Sequence, residues 1–431
     1  MKKKVMNICI VGLGNIGSYL YKYIQKNKNE IFKKTNVLPN LKYVSAKSFK
    51  KKRNITISKK KWLSNYLKAT KLKDVDIIVE LIGGPEGAAK KLVFEALKNN
   101  KHVVTANKAL ISKYGDKLAQ LAEKNKVNLE FEAAVCGGVP IVRSLKESLI
   151  GNKIYKIFGI LNGTSNYILS SMDKNKLKFD NALKNAQKLG YAESNPTSDI
   201  NGDDVSSKLK ILTALSFNSY INNKIINVEG INYVDDIDIN NANKLGYKIK
   251  LLAISELINN KIIQRVHPCL IKKTSYIANI DNVLNAVVTE SYPVGQTVVQ
   301  GEGAGPEATT SALISDISSI LRGNIKFPFT SPDKERKKLF FDNISKQVFS
   351  SYFRFDVQDK QGVLSDITSV MAKQKVSIKR LIQNPFKSKK FSSIIVISHE
   401  STDKQLSNVI KILKNKKYLI KKPKYIRIEN I

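Results

Sequence analysis

Four carboxylates and a lysine crowd into the stretch from Gly190 to Lys208, GYAESNPTSDINGDDVSSK. Asn201 to Asp204 read as the start of a helix, with small polar residues and acids where free backbone N–H groups and the positive dipole end favour them. Beyond them Val205, Leu209, Leu212 and Ser216 keep helical spacing, with Leu215 close by, so one stripe faces a core. Asp204 and Lys208 are four residues apart and share one face. A surface ion pair is the plain reading of such a couple. Glu193 and Asp199 weigh against it, because they sit just upstream in a loop bearing Gly, Asn and Pro, where functional groups gather. An acid and an amine so held are groups of the kind that move protons.

A second chemistry is written at the amino terminus. Val5 to Val11 is a short apolar run that ends in Gly12-Leu13-Gly14-Asn15-Ile16-Gly17, and a helical pattern begins at Ser18. Strand, G-x-G-x-x-G and helix in that order is the context of a dinucleotide site. Gly12 permits the tight turn, Gly14 lets backbone approach the pyrophosphate, and Gly17 allows helix and strand to pack closely. The phosphates would sit at the helix N-terminus. The next strand, Leu41 to Ala46, lacks the terminal acid that holds the 2′-hydroxyl of NAD; Lys47 and then Lys50-Lys51-Lys52-Arg53 follow. The missing acid, more than the lysines, favours NADP(H), with NAD(H) as the alternative. Asp76 to Leu81 reads as a buried strand running into Ile82-Gly83-Gly84-Pro85, and His102 to Thr105 as another closing on Ala106-Asn107-Lys108. Both turns lie at the carboxyl ends of strands, where doubly wound sheets place their ligands.

Together these residues resemble the homoserine dehydrogenase family. Its central motif runs G-Y-x-E-x-D-P-x-x-D-x-x-G-x-D-x-x-x-K, and Gly190, Tyr191, Glu193, Pro196, Asp199, Gly202, Asp204 and Lys208 fall in place. Asn195 stands where the family usually has Asp. Val104 to Lys108 resembles the V-T-A-N-K motif, which implies that Thr105 and Lys108 lie near nicotinamide and substrate. Glu132 to Pro140 resembles E-A-x-V-x-G-G-x-P, which implies a structural sodium ion on the Glu132 side chain and backbone carbonyls at Val135, Gly137 and Val139. One carboxylate with carbonyl oxygens suits a hard cation. Leu161 to Asn166 resembles L-N-G-T-x-N-Y, and Gly301 to Gly305 the returning G-x-G-A-G, with Gly305 against the cofactor.

The resemblance implies reversible reduction of L-aspartate 4-semialdehyde to L-homoserine, in threonine and methionine biosynthesis. Lys208 would stand at the carbonyl oxygen, with Asp204 holding it or a bridging water. Gly190, Glu193, Asp199, Asp204 and Lys208 would form the substrate site, Glu193 taking the ammonium. Lys108 would share the proton relay or neutralise the developing oxyanion. The rivals are a related reductase of another amino-acid aldehyde or imine, and a basic nucleic-acid-binding protein on a Rossmann scaffold.

The expected architecture is α/β. A Rossmann dinucleotide-binding domain takes 1–134, a central α+β catalytic and dimerisation domain 135–325, and a ferredoxin-like ACT domain 348–431. In the centre, Asp238 to Leu251 reads as a helix, and 326–346 as a linker. The carboxyl-terminal part reads βαββαβ. Its Asp359 to Leu364 resembles the ACT loop D-x-P-G-V-L with Gln361 in place of proline. Such domains pair and bind amino acids, so a homo-oligomer (dimer or tetramer) and threonine as effector are implied, with a purely dimerising module as the alternative. The region from Val348 onward is expected to be removable with activity kept.

The net charge of +37 on 431 residues would suit a nucleic-acid partner. The surplus is overwhelmingly lysine, spread along the chain among Asn and Ile, with few arginines or aromatics interleaved. It reads as compositional bias, with no nucleic acid as partner, though it helps attract an anionic cofactor. Three scattered cysteines imply no disulfide framework, and with three histidines they show no metal-ligand spacing. The basic start MKKKVMNICIVGLGNIG flows straight into the glycine fingerprint without a cleavage site, and no apolar run is long enough for a membrane. A cytoplasmic protein with no membrane partner is expected.

Overall fold

The computed structural model describes residues 4–222, 226–385 and 390–431. The amino-terminal third runs β1 (Val5–Val11), α1 (Asn15–Thr35), β2 (Leu38–Ser45), α2 (Lys68–Lys71), β3 (Ile77–Glu80), α3 (Ala88–Lys98), β4 (His102–Thr105), α4 (Lys108–Lys124) and β5 (Leu129–Glu130). Its five strands are parallel in the order β2-β1-β3-β4-β5. Both faces are covered, which is why β1 and β3 read as continuous apolar runs. Ile8 and Ile10 join the cluster around α1, while Cys9 and Val11 join the opposite one with α3 and α4.

The centre runs α5 (Ile141–Arg143), β6 (Lys153–Ile160), α6 (Gly163–Lys174), α7 (Phe179–Lys188), α8 (Thr197–Ile200), α9 (Asp203–Ser216), β7 (Asn227–Val228), α10 (Asp236–Lys244), β8 (Tyr247–Ile258), β9 (Lys261–Lys272), β10 (Leu284–Tyr292), β11 (Gly295–Glu302) and α11 (Pro306–Leu321). The helix expected to reach Leu251 stops at Lys244. Gly246, at φ +85°, turns the chain, and β8 begins at Tyr247. Residues Ile249 to Ser255 are all buried, so β8 shows no alternation to betray a strand. α11 leaves the central unit and packs on α1, with Leu313, Ile317 and Ile320 against Leu20, Tyr21 and Ile24. The dinucleotide domain therefore includes a helix from beyond residue 300, across the boundary expected at 134.

The segment 326–346 is no free linker. Phe329 and Arg336 are buried, and β12 (Phe340–Phe341) pairs with β9. The tail follows the expected order: β13 (Val348–Gln358), α12 (Val363–Lys373), β14 (Ile378–Pro385), β15 (Phe391–Ser398), β16 (Ser401–Thr402), α13 (Asp403–Leu413) and β17 (Lys424–Ile428). Its main strands lie in the order β17-β13-β15-β14. β17 then pairs in parallel with β9, Arg427 opposite Cys269 and Ile428 opposite Leu270, so tail and centre share one sheet of twelve strands among the described residues.

Buried charges line that seam. Glu429 takes Arg265 and His267, Arg427 takes Glu229 and Asp403, and Arg354 takes Asp235. These pairs weigh against a detachable tail. A cut before Val348 would strip the partners from charges already out of water.

Candidate active site

The carboxylate of Asp204 is the hub where two domains meet. α9 packs between β6 and β8 of the central sheet and α4 of the dinucleotide domain. Gly202 caps it at φ +85°, placing Asp203 and Asp204 in the first turn, where the helix dipole favours anions. One Asp204 oxygen meets Lys208 Nζ at 2.7 Å, and the other meets Lys108 Nζ, from the first residue of α4, at 2.7 Å. Lys208 is buried and also donates to the Leu161 carbonyl at 2.6 Å. Burial works against the charge of Asp204, but the ammoniums of Lys208 and Lys108 overcome it and hold its pKa well below the usual carboxylate range. Burial likewise opposes the Lys208 ammonium, and Asp204 beside it leaves its pKa raised. The result is a lysine–carboxylate–lysine chain, buried at Asp204 and Lys208 and open to solvent at Lys108.

Asn162 ties the carboxylates together. Its amide donates to Asp199 at 2.8 Å and Asp204 at 2.9 Å, while its carbonyl caps α6 through Ser165 N at 2.8 Å. Burial, opposed by that amide, raises the Asp199 pKa. Asn107 does the parallel work for Lys108: it caps α4 through Leu110 N and donates to the Gly84 carbonyl at 2.7 Å. Glu80, fully buried at the end of β3, accepts the amides of Ile82 and Gly83 and the Thr105 hydroxyl at 2.6 Å. It thus sets the turn after β3 and the end of β4 with one side chain. Sequence reasoning assigned none of these three. Asn162 and Asn107 carried a signal, as polar residues at strand-to-helix junctions; Glu80 carried only its charge inside an apolar strand.

The glycine fingerprint has the expected geometry. Gly12 sits at φ +107°, and a Cβ there would overlap the Leu81 carbonyl; one at Gly17 would overlap the Gly12 carbonyl. Gly14 faces open space. Beside it lies a cavity of about 320 Å³ lined by Leu13, Gly14, Asn15, Lys22, Arg53 and Pro306 among others. Ile16 follows in the first turn of α1, half-buried. Gly305, at φ +107°, precedes Pro306 and so brings the 301–305 turn back to this mouth. Arg53 is anchored by the carbonyls of Leu13, Ser48 and Lys51 and lies 5.6 Å over Trp62.

Two expected residues stand apart. Lys47 is exposed. Glu193 is exposed on the loop after Gly190 (φ +76°), and among the described residues its side chain has no hydrogen bond or ion pair.

At the implied cation site, Glu132 is buried and accepts the amides of Val142 at 2.9 Å and Arg143 at 2.7 Å. Burial raises its pKa to about 7 against those two amides. Cys136 and Gly137 are both left-handed, at φ +56° and +47°, and a Cβ on Gly137 would strike the Gly303 backbone. The carbonyls of Val135, Gly137 and Val139 lie on this tight turn, and that of Val139 accepts Ile141 N. A buried carboxylate with backbone carbonyls close by in sequence is the donor chemistry that suits a hard monovalent ion. Among the described residues no cluster of His, Cys, Asp and Glu would hold a transition metal.

Comparison with known proteins decides the family. Residues 12–132 match the model described as "Homoserine dehydrogenase, NAD binding domain", and residues 140–318 the one described as "Homoserine dehydrogenase". The chain belongs to the homoserine dehydrogenase family. Residues 351–417 match the ACT domain. The homoserine dehydrogenase of Neisseria gonorrhoeae is 37% identical over 99% of both chains, and that of Helicobacter pylori 38% identical over 99% of this chain and 100% of its own. A crystal structure of a homoserine dehydrogenase from Thiobacillus denitrificans superposes with a TM-score of 0.91 at 35% identity, over 99% of each chain. This homoserine dehydrogenase is an NAD(P)-dependent oxidoreductase acting on a CH–OH group, with a dinucleotide domain, a catalytic domain and an ACT domain. Among the described residues no helix is long and apolar enough to cross a membrane.

Proposed function

We propose that this homoserine dehydrogenase interconverts L-aspartate 4-semialdehyde and L-homoserine with NADP(H), Lys208 delivering the proton to the carbonyl oxygen. The observation that carries it is the Lys208–Asp204–Lys108 chain at the domain seam, buried at Asp204 and Lys208. The bound cofactor supplies the hydride. As that bond forms, negative charge grows on the carbonyl oxygen. Lys208 has three N–H bonds, of which two are spent on Leu161 and Asp204, leaving one for that oxygen. The proton then moves from Nζ to the alkoxide. Asp204 does not take it up, because its pKa is too low; it orients both lysines and stabilises their charge. Lys108, with 44% of its side chain exposed, is the solvent end of the relay. Asp199 lies at the edge of the site to meet the substrate ammonium, with Glu193, exposed on the loop after Gly190, as the second carboxylate for it.

Several finer assignments belong to the same reading. NADP(H) is favoured by the missing acid after β2 and the basic rim at Lys22 and Arg53; the phosphates would lie along the fingerprint, with Gly305 closing on the cofactor and Thr105 and Lys108 near its nicotinamide. Glu132 with the Val135, Gly137 and Val139 carbonyls would hold a sodium ion that stiffens the turn. Ile150, Tyr155, Tyr292 and Val294 are exposed around the end of the β6–β10 pair, supporting association of copies into a dimer or tetramer. Cys9, Cys136 and Cys269 are free thiols, which suits the reducing cytoplasm. Threonine is the effector expected at the ACT unit, in the pathway to threonine and methionine.

Steady-state kinetics of Lys208→Ala test the central step. kcat should fall by about 10²–10⁴, the range for a general acid, with the fold retained by circular dichroism. Asp204→Asn should also lower kcat, and the double variant should be far from additive. Near-wild-type turnover in Lys208→Ala removes Lys208 from the mechanism.

A further inference from the structure

Segment 326–346 grips the far ends of the two helices whose near ends carry the ion chain. Lys108 opens α4 and Asp204 lies in the first turn of α9. Their contact is 2.7 Å, yet 44% of the lysine side chain is exposed, so packing around the lysine does not hold it. An exposed lysine on a flexible stem keeps one geometry only when its anchor is fixed. The contact therefore depends on where α4 sits against α9.

Arg336 supplies that fixing. One of its NH2 hydrogens goes to Asp116 on α4 at 2.7 Å, and the same nitrogen donates at 2.7 Å to the Ser219 carbonyl, just past the end of α9. Asp116 also accepts the Ile221 amide at 3.1 Å. The Arg336 side chain is 0% exposed, and its guanidinium lies 3.9 Å over Phe329 and 4.8 Å over Tyr220. Further along α4, Gln120 donates to Asp333 at 2.9 Å and Glu123 accepts the Asp333 amide at 3.0 Å. At Gly115 a Cβ would press on the tips of the Ile221 and Phe329 side chains, so the helix lies close against this segment there. Asp116 is eight residues from Lys108, about 12 Å along the helix axis. No group of the clamp reaches the ion chain directly.

We propose that Arg336 is a positioning residue for the reaction: through Asp116 and Ser219 it locks α4 against α9 and so sets the Lys108–Asp204 contact. This rests on the roles given above to Lys108 and Asp204. Because the same segment leads through β12 into the ACT unit, any shift there would reach the ion chain along this path.

The test uses the full chain, with Arg336→Met, Arg336→Lys, Asp116→Asn and Lys108→Ala, each assayed for homoserine oxidation and cofactor binding, and with thermal midpoints recorded. Arg336→Met should lower kcat about 10-fold, within the roughly 10²-fold that a 1 Å misplacement costs, while the cofactor dissociation constant stays within about twofold of wild type. Arg336→Lys should recover part of the loss. On the Lys108→Ala background the Arg336→Met change should cost less than about twofold more, since coupled groups are non-additive. Wild-type kcat in folded Arg336→Met, or full additivity with Lys108→Ala, overturns the clamp. If Arg336→Met does not fold, Asp116→Asn decides: a kcat loss that vanishes on the Lys108→Ala background supports the clamp, and wild-type kcat overturns it. Wild-type turnover in Lys108→Ala alone overturns the role of Lys108 and the route assigned to Arg336, whereas slow Lys108→Ala beside fast Arg336→Met overturns the clamp only.

Discussion

Glu429→Gln should destabilise this enzyme as a break in a core would, although the residue lies just past the end of β17. Its carboxylate is 5% exposed, accepts Arg265 at 2.7 and 2.8 Å, and meets His267 at 2.9 Å. Burial opposes its charge, but Arg265 overcomes that and holds its pKa well below the usual range. Gln keeps the shape, loses the charge and turns an N–H towards donors. Removing one partner of a buried pair costs about 3–5 kcal/mol. Arg265 keeps Glu256 at 2.7 Å, so the lower figure, about 3 kcal/mol, applies.

The assay is urea unfolding at pH 7 followed by far-UV circular dichroism. Trp62, the only tryptophan, reports separately on the dinucleotide domain. The sign with pH follows from the depressed folded pKa. Glu429 contributes fully above its unfolded value of about 4.3, and the contribution is lost as pH falls through the folded value. The gap between wild type and variant should therefore be full at pH 7 and close only below about pH 4. A loss under about 0.5 kcal/mol at pH 7, the worth of a surface pair, would refute the buried seam. The same reasoning expects truncation before Val348 to yield misfolded protein rather than a free-standing enzyme.

The other expectations concern the site. With the Asp204 pKa depressed and the Lys208 pKa raised, both stay charged from roughly pH 5 to 9. The kcat for reduction should be flat across that range, while homoserine oxidation, which needs neutral Lys208, should climb toward alkaline pH; an acid limb near pH 6 in the reduction direction would contradict this. Glu80→Gln should weaken cofactor binding about 10-fold, the scale of one charge-assisted hydrogen bond, because it loosens the Ile82–Gly83 turn and Thr105 together; unchanged binding by fluorescence titration would remove Glu80 from that role. Arg53→Ala should raise the KM for NADPH at least about 10-fold more than that for NADH, if a charge-assisted contact to phosphate is lost, and equal effects would leave it only as an anchor for Leu13.

The site was legible where local rules act. The fingerprint glycines, the Asp204–Lys208 spacing and the Thr105-to-Lys108 strand end all require particular residues at particular offsets, and the chain carries them. The ACT pattern was legible for the same reason, each strand and helix having its own period. What escaped were facts of partnership. Nothing in the run Tyr247 to Ile258 marks it as a strand buried on both faces, although Asn259 and Asn260, both left-handed at φ +49° and +60°, form the hairpin turn that follows it. Arg336 looked like one more charge in a polar stretch, because its worth depends on Asp116, far away in sequence. Glu193 falls in the same motif as Asp204 and Lys208, but the loop after Gly190 leaves it exposed, outside their ion chain.

The pairing of β9 with β17 also has a meaning in time. β9 is complete by Lys272, but the strand that lies beside it, β17, begins only at Lys424. At roughly 5–20 residues per second, the catalytic sheet waits on the order of ten to thirty seconds with an apolar edge bare and Arg265 and His267 without Glu429. Contacts so distant in sequence slow folding and expose unpaired edges to neighbouring chains. The nascent enzyme should therefore be a client of chaperones until β17 emerges, and truncations that remove β17 should act on its abundance before they act on its regulation.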